Sequence, residues 1–168
     1  MTALSIHQQR DGIKTTAPRK RGTWRGYLGA AVLLLLLTAS QASAAERLAV
    51  NVAKANVRSG PGTSHEIMWE VERYYPVVII KKSGAWYLFR DFEKDEGWLK
   101  KTLLAKIPTV ITVKQECNIR SGPGTKFPIS FKTQDKGVPF KVLKRKGKWI
   151  NVQHADGDKG WIFKSLVW

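Results

Sequence analysis

The chain carries the same eight-residue string twice. Residues 56–63 read Asn-Val-Arg-Ser-Gly-Pro-Gly-Thr, and residues 118–125 read Asn-Ile-Arg-Ser-Gly-Pro-Gly-Thr. The copies differ only at Val57 against Ile119, and they lie 62 residues apart. A match of this length in a chain of 168 residues indicates that one structural unit occurs twice.

Each string predicts the end of a strand followed by a tight turn. The apolar residue between Asn and Arg belongs to the strand, and Gly-Pro-Gly forms the turn, because proline fixes its own φ and glycine accepts φ > 0. A phosphate-binding loop is the alternative for a glycine-rich string. It is disfavoured because no Gly-Lys-Ser or Gly-Lys-Thr follows and no helical pattern begins behind the turn.

The first 44 residues have the pattern of an export signal. Six Lys and Arg residues precede an uncharged run at 26–45, and Ala42-Ser43-Ala44 supplies an A-x-A cleavage site. We expect cleavage after Ala44, which places the protein in the periplasm or on the cell envelope. The alternative is an uncleaved anchor that keeps membrane contact, but an apolar core of about 12 residues is shorter than the ~20 needed to span.

The net charge limits the classes of partner. The full chain has a net charge of +16, and residues 45–168 keep 23 Lys and Arg against 12 Asp and Glu, or +11. An exported protein this basic suits anionic envelope polymers, phospholipid surfaces or acidic partners. Nucleic acid is not an expected partner, because export separates the protein from it. General solubility accounts for part of the charge.

The segments around the two strings predict two small all-β units. Apolar segments recur at an offset of 63 residues, for example 76–81 with 139–144 and 86–90 with 149–153. Residues 139–144 alternate apolar and polar, whereas 76–81 are more continuously apolar and are a candidate for burial on both faces. About five short strands per unit, joined by tight turns, favour a small bent barrel.

The repeat sets the expected domain boundaries. After the signal peptide at residues 1–44, the first barrel takes residues 46–104, a short linker takes 105–109 and the second barrel takes 110–168. Because the linker is short and contains Pro108, we expect the two barrels to touch each other.

The chain offers little for catalysis or metal binding. Cys117 is the only cysteine, so no intramolecular disulfide can form, and it matches Ala55, where a small buried residue is expected. A thiol nucleophile paired with His154 is the alternative. The acidic residues of 91–96 and 156–158 fall in predicted hairpin turns and are expected to be solvated. We therefore expect no catalytic residue, no metal site and no cofactor.

The order of the motifs resembles the bacterial SH3-like domain family. In each copy the repeated string is followed by Gly-x-Trp and then by Gly-Trp before an apolar end, and the resemblance covers residues 46–168 as two tandem copies. It implies small β-barrels that serve as binding or targeting modules, common in exported envelope proteins and often beside cell-wall hydrolases. The ligands it implies are mainly peptidoglycan peptides.

A second resemblance, to eukaryotic SH3 domains, implies a groove lined by aromatic residues. Trp86 and Trp149 stand where the groove tryptophan would lie, and Phe163 stands at the position of a groove proline. The first copy has Lys100 at that position, and Leu166 replaces the groove tyrosine in the second copy. The surface for a proline-rich peptide is therefore incomplete.

Six residues are candidate ligand contacts: Trp86, Trp149, Arg58, Arg120, Tyr75 and Phe163. Each kind has a structural alternative. The tryptophans are alternatively half-buried strand aromatics, and the arginines either hold a ligand carboxylate or tie the adjacent loop to backbone carbonyls. The tyrosine either shapes a distinct surface of the first barrel or packs between barrels. Trp98 and Trp161 are expected in the core or at barrel closure.

Together these features favour a non-catalytic, exported binding or targeting module of the bacterial cell envelope. The expected partner is cell-wall peptidoglycan or its peptides. The alternative is a protein–protein interaction scaffold for an envelope enzyme or a secretion complex. A small envelope hydrolase that uses Cys117 is the third hypothesis.

Overall fold

Two antiparallel β-sheets make up the described part of the protein. The computed structural model describes residues 45–168, so the predicted export signal at residues 1–44 lies outside the described residues. The strands, in chain order, are β1 (Arg47–Val50), β2 (Lys54–Arg58), β3 (Ile67–Glu72), β4 (Pro76–Ser83), β5 (Trp86–Arg90), β6 (Glu96–Lys100), β7 (Leu104–Ala105), β8 (Thr109–Ile111), β9 (Asn118–Arg120), β10 (Ile129–Lys132), β11 (Pro139–Lys146), β12 (Trp149–Gln153) and β13 (Lys159–Phe163). Two 3-10 turns, Lys101–Leu103 and Lys164–Leu166, complete the regular elements. Across residues 45–168, no helix has the length and apolar character needed to cross a membrane.

The two sheets repeat one strand order. The first runs β3-β2-β6-β5-β4-β1-β7, and the second runs β10-β9-β13-β12-β11-β8. The orders match strand for strand, except that β7 is added beside β1, where the second barrel has a single bridge between Thr112 and Val167. The predicted all-β fold of two small tandem barrels is therefore confirmed. Each sheet has one or two strands more than the five expected, mainly because the strand that ends in the repeated string, β2 or β9, is separate from the strand before it.

Each barrel has its own apolar core, and the two cores fill equivalent positions differently. The one residue that differs between the two strings is fully buried in both copies. Phe89 in the first core corresponds to Val152 in the second, whereas Val77 corresponds to Phe140. Each core thus combines one buried phenylalanine with one buried valine at these two positions, an exchange that conserves volume.

A β-bulge at the same place in both barrels turns one apolar side chain outward. The pairing of β4 with β5 shifts at Ile80, and the pairing of β11 with β12 shifts at Leu143. These side chains are 43% and 40% exposed. The predicted burial of residues 76–81 on both faces is wrong beyond Ile79, because a bulge adds a residue to one strand and redirects the side chains around it.

The two barrels contact each other beside the short segment that joins them. The guanidinium of Arg47 lies over the Trp168 ring, 3.8 Å from its centroid, and donates to the main-chain oxygen of Trp168 at 3.1 Å. At a second point, Lys136 Nζ lies 2.6 Å from Glu93 Oε1. These pairs confirm the predicted contact between the barrels.

Candidate functional site

The arginine of each repeated string holds the Gly-Pro-Gly loop that follows it. Arg120 Nη1 donates to the main-chain oxygen of Phe127 at 2.8 Å. Arg58 Nη1 donates to the main-chain oxygens of Thr63 at 2.9 Å and His65 at 2.6 Å. Both residues therefore tie a loop to its carbonyls, as in the structural alternative considered for them, because buried or crowded carbonyls need donors.

The glycines of the loop are required by an aromatic ring packed against them. A Cβ atom on Gly122 would overlap the Phe127 ring, and one on Gly60 would overlap the His65 ring. In the second barrel the N–H of Gly124 donates to the carbonyl of Gly122 at 2.9 Å, which closes the turn around the proline. The turn, the aromatic ring and the arginine thus hold one another in place, and the loop is rigid.

Trp149 and Phe163 stand opposite each other on neighbouring strands of the second barrel. They are cross-strand partners between β12 and β13, and their rings meet edge to face with centroids 5.3 Å apart. Such pairs stabilise a sheet face beyond the area that they bury. Both side chains are half-buried, so part of each ring faces solvent and is open to a ligand.

A groove of about 250 Å³ lies between this aromatic pair and the Gly-Pro-Gly loop. The residues that line it are Asn118, Arg120, Thr125, Trp149, Phe163 and Leu166. We call it the aromatic groove. It brings together three of the six predicted contacts, Arg120, Trp149 and Phe163. Asn118 and Thr125 also line the groove, and both belong to the repeated string, which predicts a strand end and a tight turn rather than these two contacts.

Two polar groups in the aromatic groove retain hydrogen-bonding capacity. Oδ1 of Asn118 is buried and has no hydrogen-bond partner within residues 45–168. Arg120 uses Nη1 for the loop, and its other guanidinium nitrogens have no partner in the same part of the chain. The groove therefore offers ring surfaces, one unpaired acceptor and one cationic donor, which suits a ligand with an amide N–H and a carboxylate.

The first barrel presents different chemistry at the equivalent place. Trp86 stands opposite Lys100 across β5 and β6, in the same register that joins Trp149 to Phe163. A lysine supplies no second ring. Trp86 and Arg58 thus lie in the other barrel, on a surface that lacks the aromatic pair, and they do not contribute to the aromatic groove.

Tyr75 lies apart from the groove and is engaged inside the first barrel. Its hydroxyl donates to Asp91 Oδ2 at 2.8 Å, and burial, followed by this hydrogen bond, raises the pKa of Tyr75. Asp91 is only 6% exposed and also accepts from the main-chain N–H groups of Glu93 and Asp95. The prediction that the acids of residues 91–96 are solvated is wrong for Asp91, because the turn is built around its carboxylate.

Trp98 and Trp161 mark the closure of the barrels, where Trp98 is half-buried and Trp161 is buried. Their backbones pair with Arg58 and Arg120, where β6 meets β2 and β13 meets β9. The residue that follows each tryptophan, Leu99 or Ile162, is fully buried in the core cluster of its barrel. Trp161 is covered by Lys144, whose Nζ lies 5.4 Å from the ring centroid. Both tryptophans thus lie where the barrels close, and Trp161 is also one of the buried apolar residues of its barrel.

Cys117 is a core residue, as its alignment with Ala55 predicted. It is 1% exposed, its thiol donates to the carbonyl of Lys114 at 3.2 Å, and burial raises the pKa of the thiol. His154 has a different partner, since its Nδ1 lies 2.9 Å from Asp156. Within residues 45–168 no three His, Cys, Asp or Glu side chains are grouped so as to hold a metal ion.

Several known proteins are similar to this chain in sequence. "Putative N-acetylmuramoyl-L-alanine amidase YrvJ" of Bacillus subtilis is 29% identical over 145 residues, covering 79% of this chain and 28% of that protein. "Probable cell wall amidase LytH" of Staphylococcus epidermidis is 45% identical over 53 residues, covering 31% of this chain and 18% of that protein. The chain therefore spans less than a third of the length of either relative.

Two solved structures match the chain at low sequence identity. An NlpC/P60 family protein from Bacillus cereus is 12% identical with a TM-score of 0.35, covering 73% of this chain and 56% of that one. NlpC1 from Trichomonas vaginalis is 15% identical with a TM-score of 0.32, covering 79% and 49%.

The family described as "Bacterial SH3 domain" matches the chain twice, at residues 51–106 and 113–168. The two matches together span more than half of the chain, and each contains one copy of the repeated string. With the duplicated strand order, they establish that the chain belongs to the bacterial SH3 domain family and carries two tandem copies of the domain.

Proposed function

We propose that this protein is a non-catalytic, exported binding module of the bacterial cell envelope, and that its aromatic groove binds peptidoglycan through the peptide stem. The observation that carries the proposal is the pairing of Trp149 with Phe163 beside a loop that is held rigid by Arg120. Preformed aromatic surfaces of this kind bind ligands at a low cost in conformational entropy.

The chemistry of the groove fits a stem peptide. A peptide carries amide N–H groups that the unpaired Oδ1 of Asn118 can accept, and its free carboxylates can pair with the remaining guanidinium nitrogens of Arg120. Its aliphatic side chains can pack on the exposed parts of the Trp149 and Phe163 rings. Arg120 would therefore act both as a loop tie and as a ligand contact.

The similar proteins support an assignment to the cell wall. Both relatives bear names of amidases, one of them a cell wall amidase, and the part shared with LytH is about the length of one repeat. A shared module of this size within larger enzymes is consistent with a binding function that is separable from catalysis. The predicted export signal at residues 1–44 supports the same location.

The absence of a catalytic role is part of the proposal and is supported by the groove's composition. Its lining contains no carboxylic acid, thiol or imidazole that could act as a nucleophile or general base. The thiol of Cys117 is buried in the core, where its raised pKa disfavours the reactive thiolate.

A protein-interaction scaffold is the second candidate, favoured by one observation. Ile67 and Met68 on the edge strand β3, and Ile129 at the matching position of the edge strand β10, are large apolar residues that are more than two-fifths exposed. Edge strands with exposed apolar residues can pair with a strand of another protein.

Co-sedimentation with isolated peptidoglycan sacculi tests the proposal. We expect wild type and Trp86→Ala to sediment alike, and Trp149→Ala to bind at least about tenfold more weakly, because central aromatic anchors contribute about 2 kcal/mol or more. Trp86→Ala is the matched control, since it makes the same change at the equivalent register of the first barrel. Wild-type protein that stays in the supernatant at low salt, or equal losses in the two variants, would contradict the proposal.

A further inference from the structure

A second cleft, of about 450 Å³, lies where the chain passes from the first barrel to the second. The residues that line it are Arg47, Lys106, Ile107, Pro108, Thr109 and Arg145. We call it the junction cleft. It shares no residue with the aromatic groove, and its volume lies within the range of about 300 to 1,000 Å³ that is typical of small-molecule sites.

The junction cleft is lined by three cationic side chains and by no acidic side chain. Its lining has no aspartate or glutamate, and within residues 45–168 none of its three cationic side chains forms an ion pair with a carboxylate side chain. By contrast, Lys82 and Arg90 of the first barrel are paired with Glu46 and Glu96. Like charges gathered in one concave site favour the binding of an anion.

Arg47 is held in place rather than free to move away from the other cations. Its guanidinium stacks on the Trp168 ring and donates to the main-chain oxygen of that residue. Burial, and then the neighbouring charge of Arg145, lower the pKa of Arg47. An anion bound in the cleft that Arg47 and Arg145 both line would offset the repulsion between their charges.

Thr109 adds an unused polar group to the lining. Thr109 is 7% exposed, and its hydroxyl oxygen is buried without a hydrogen-bond partner within residues 45–168. Buried polar groups without partners are uncommon and costly in folded proteins. Because Thr109 lines the cleft, its hydroxyl is a candidate donor to an anion bound there.

We infer that the junction cleft is a binding site for a phosphate group, carried either by free phosphate or by a phosphate ester. Two guanidinium groups and one ammonium match the charge and the several oxygens of a phosphate better than those of a single carboxylate. Because β1, the linker and β11 all contribute, the site exists only when both barrels are in place, and it does not depend on the function proposed for the aromatic groove.

NMR titration of the full chain at constant ionic strength tests this inference. Inorganic phosphate, glycerol 3-phosphate and acetate are added separately, and the signals of residues 106–109 and of the Trp168 indole are followed. We expect phosphate or its ester to shift these signals saturably, and Arg145→Gln to weaken binding about tenfold, as for the loss of one charge-assisted contact. Lys146→Gln is the matched control, because it removes the same charge from the same hairpin outside the cleft.

Each outcome of the titration has a defined meaning. Binding of inorganic phosphate alone identifies free phosphate as the occupant, and equal or tighter binding of glycerol 3-phosphate identifies an ester. Acetate that binds as tightly as either phosphate, shifts that spread along the whole basic surface, or equal losses in Arg145→Gln and Lys146→Gln would overturn the inference. Thr109→Val gives a further check, since it should weaken phosphate binding without loss of the folded state.

Discussion

At the scale of single residues, the arginines of the repeated string hold their loops, and one of them also lines the proposed binding groove. Arg58 donates to two carbonyls of its loop, whereas Arg120 donates to one and lies in the aromatic groove. The sequence predicted both roles as alternatives. It could not assign them, because the groove also needs Trp149 and Phe163, which lie on strands about 30 and 40 residues further along the chain.

The hydrogen bonds from these arginines to the carbonyls of their loops lead to the first prediction. Arg58→Ala should lower the free energy of unfolding by about 1–3 kcal/mol, because hydrogen bonds from a charged donor to two loop carbonyls are lost. Urea unfolding followed by tryptophan fluorescence measures the change. Lys54→Ala is the control: its pair with Glu70 is long and exposed, so a change within about 0.5 kcal/mol is expected. Equal effects of the two substitutions would contradict this role for Arg58.

The hydrogen bond between the half-buried Tyr75 and the buried Asp91 leads to a prediction on alkaline stability. The pKa of Tyr75 is raised in the folded protein, so folding favours its neutral form. This contribution is complete below the ordinary tyrosine pKa of about 10 and declines as the pH rises above it. We expect unfolding experiments between pH 8 and pH 11 to show stability falling above about pH 10, and Tyr75→Phe to flatten that fall.

A control separates this effect from general alkaline unfolding. Tyr87→Phe removes a hydroxyl from a ring that lies near the Lys82 ammonium rather than beside Asp91. It should leave the alkaline fall as steep as in wild type. If both variants lose the same pH dependence, Tyr75 is not the group responsible.

At the scale of elements, the repeat predicted which segments are strands. Tertiary packing decided where the strands bulge and which side chains of strands and turns are buried. The order of apolar segments was enough to predict two barrels of matched strands. The bulges at Ile80 and Leu143 were not predicted, because an apolar residue that a bulge turns outward has the same sequence pattern as a buried one. The buried carboxylate of Asp91 was missed for a similar reason, since a hairpin acid that binds its own turn resembles a solvated one.

The exchange of phenylalanine and valine between the two cores gives a prediction at this scale. Phe140→Val alone should cost about 2 kcal/mol or more, because it leaves a cavity in the second core. Adding Val152→Phe, which reproduces the arrangement of the first core, should recover part of the loss. A double-mutant cycle of unfolding free energies measures the coupling, and strictly additive losses would show that the two positions do not share space.

The close packing of β13 against β9 gives a second prediction at the scale of elements. A Cβ atom on Gly160 would overlap the Ile119 side chain and lie 2.9 Å from the main-chain oxygen of Arg120, which cannot move without breaking the sheet. Gly160→Ala should therefore cost about 2 kcal/mol or more. Gly147→Ala is the control, because its φ of 57° adds strain of about 1 kcal/mol while no atom lies within 4 Å of the added carbon. Melting temperatures that rank the two variants the other way would contradict this.

At the scale of the whole molecule, the two barrels share a fold but differ in charge and in surface. Residues 109–168 carry 12 Lys and Arg against 4 Asp and Glu, whereas residues 45–108 carry 11 against 8. The second barrel thus has most of the net charge as well as the aromatic pair. The difference between Phe163 and Lys100 is visible in the sequence. That Phe163 forms an aromatic pair and Lys100 does not follows only from the structure, in which each residue lies opposite a tryptophan.

The junction cleft shows what only the assembled molecule contains. Its cations come from β1, the linker and the tip of β11, positions about 40 to 100 residues apart in sequence, so no local pattern predicts it. Bacterial SH3 domains studied singly would lack it. The duplication therefore produces one surface that neither copy has alone.

The most direct test of the central claim, that the aromatic groove of the second barrel is the ligand site, is an NMR titration with soluble peptidoglycan fragments that follows the indole N–H signals of Trp149 and Trp86. We predict a saturable shift of the Trp149 signal and of the Asn118 side-chain amide, with Trp86 unchanged. A shift confined to Trp86, or no shift at either indole up to millimolar fragment, would contradict it.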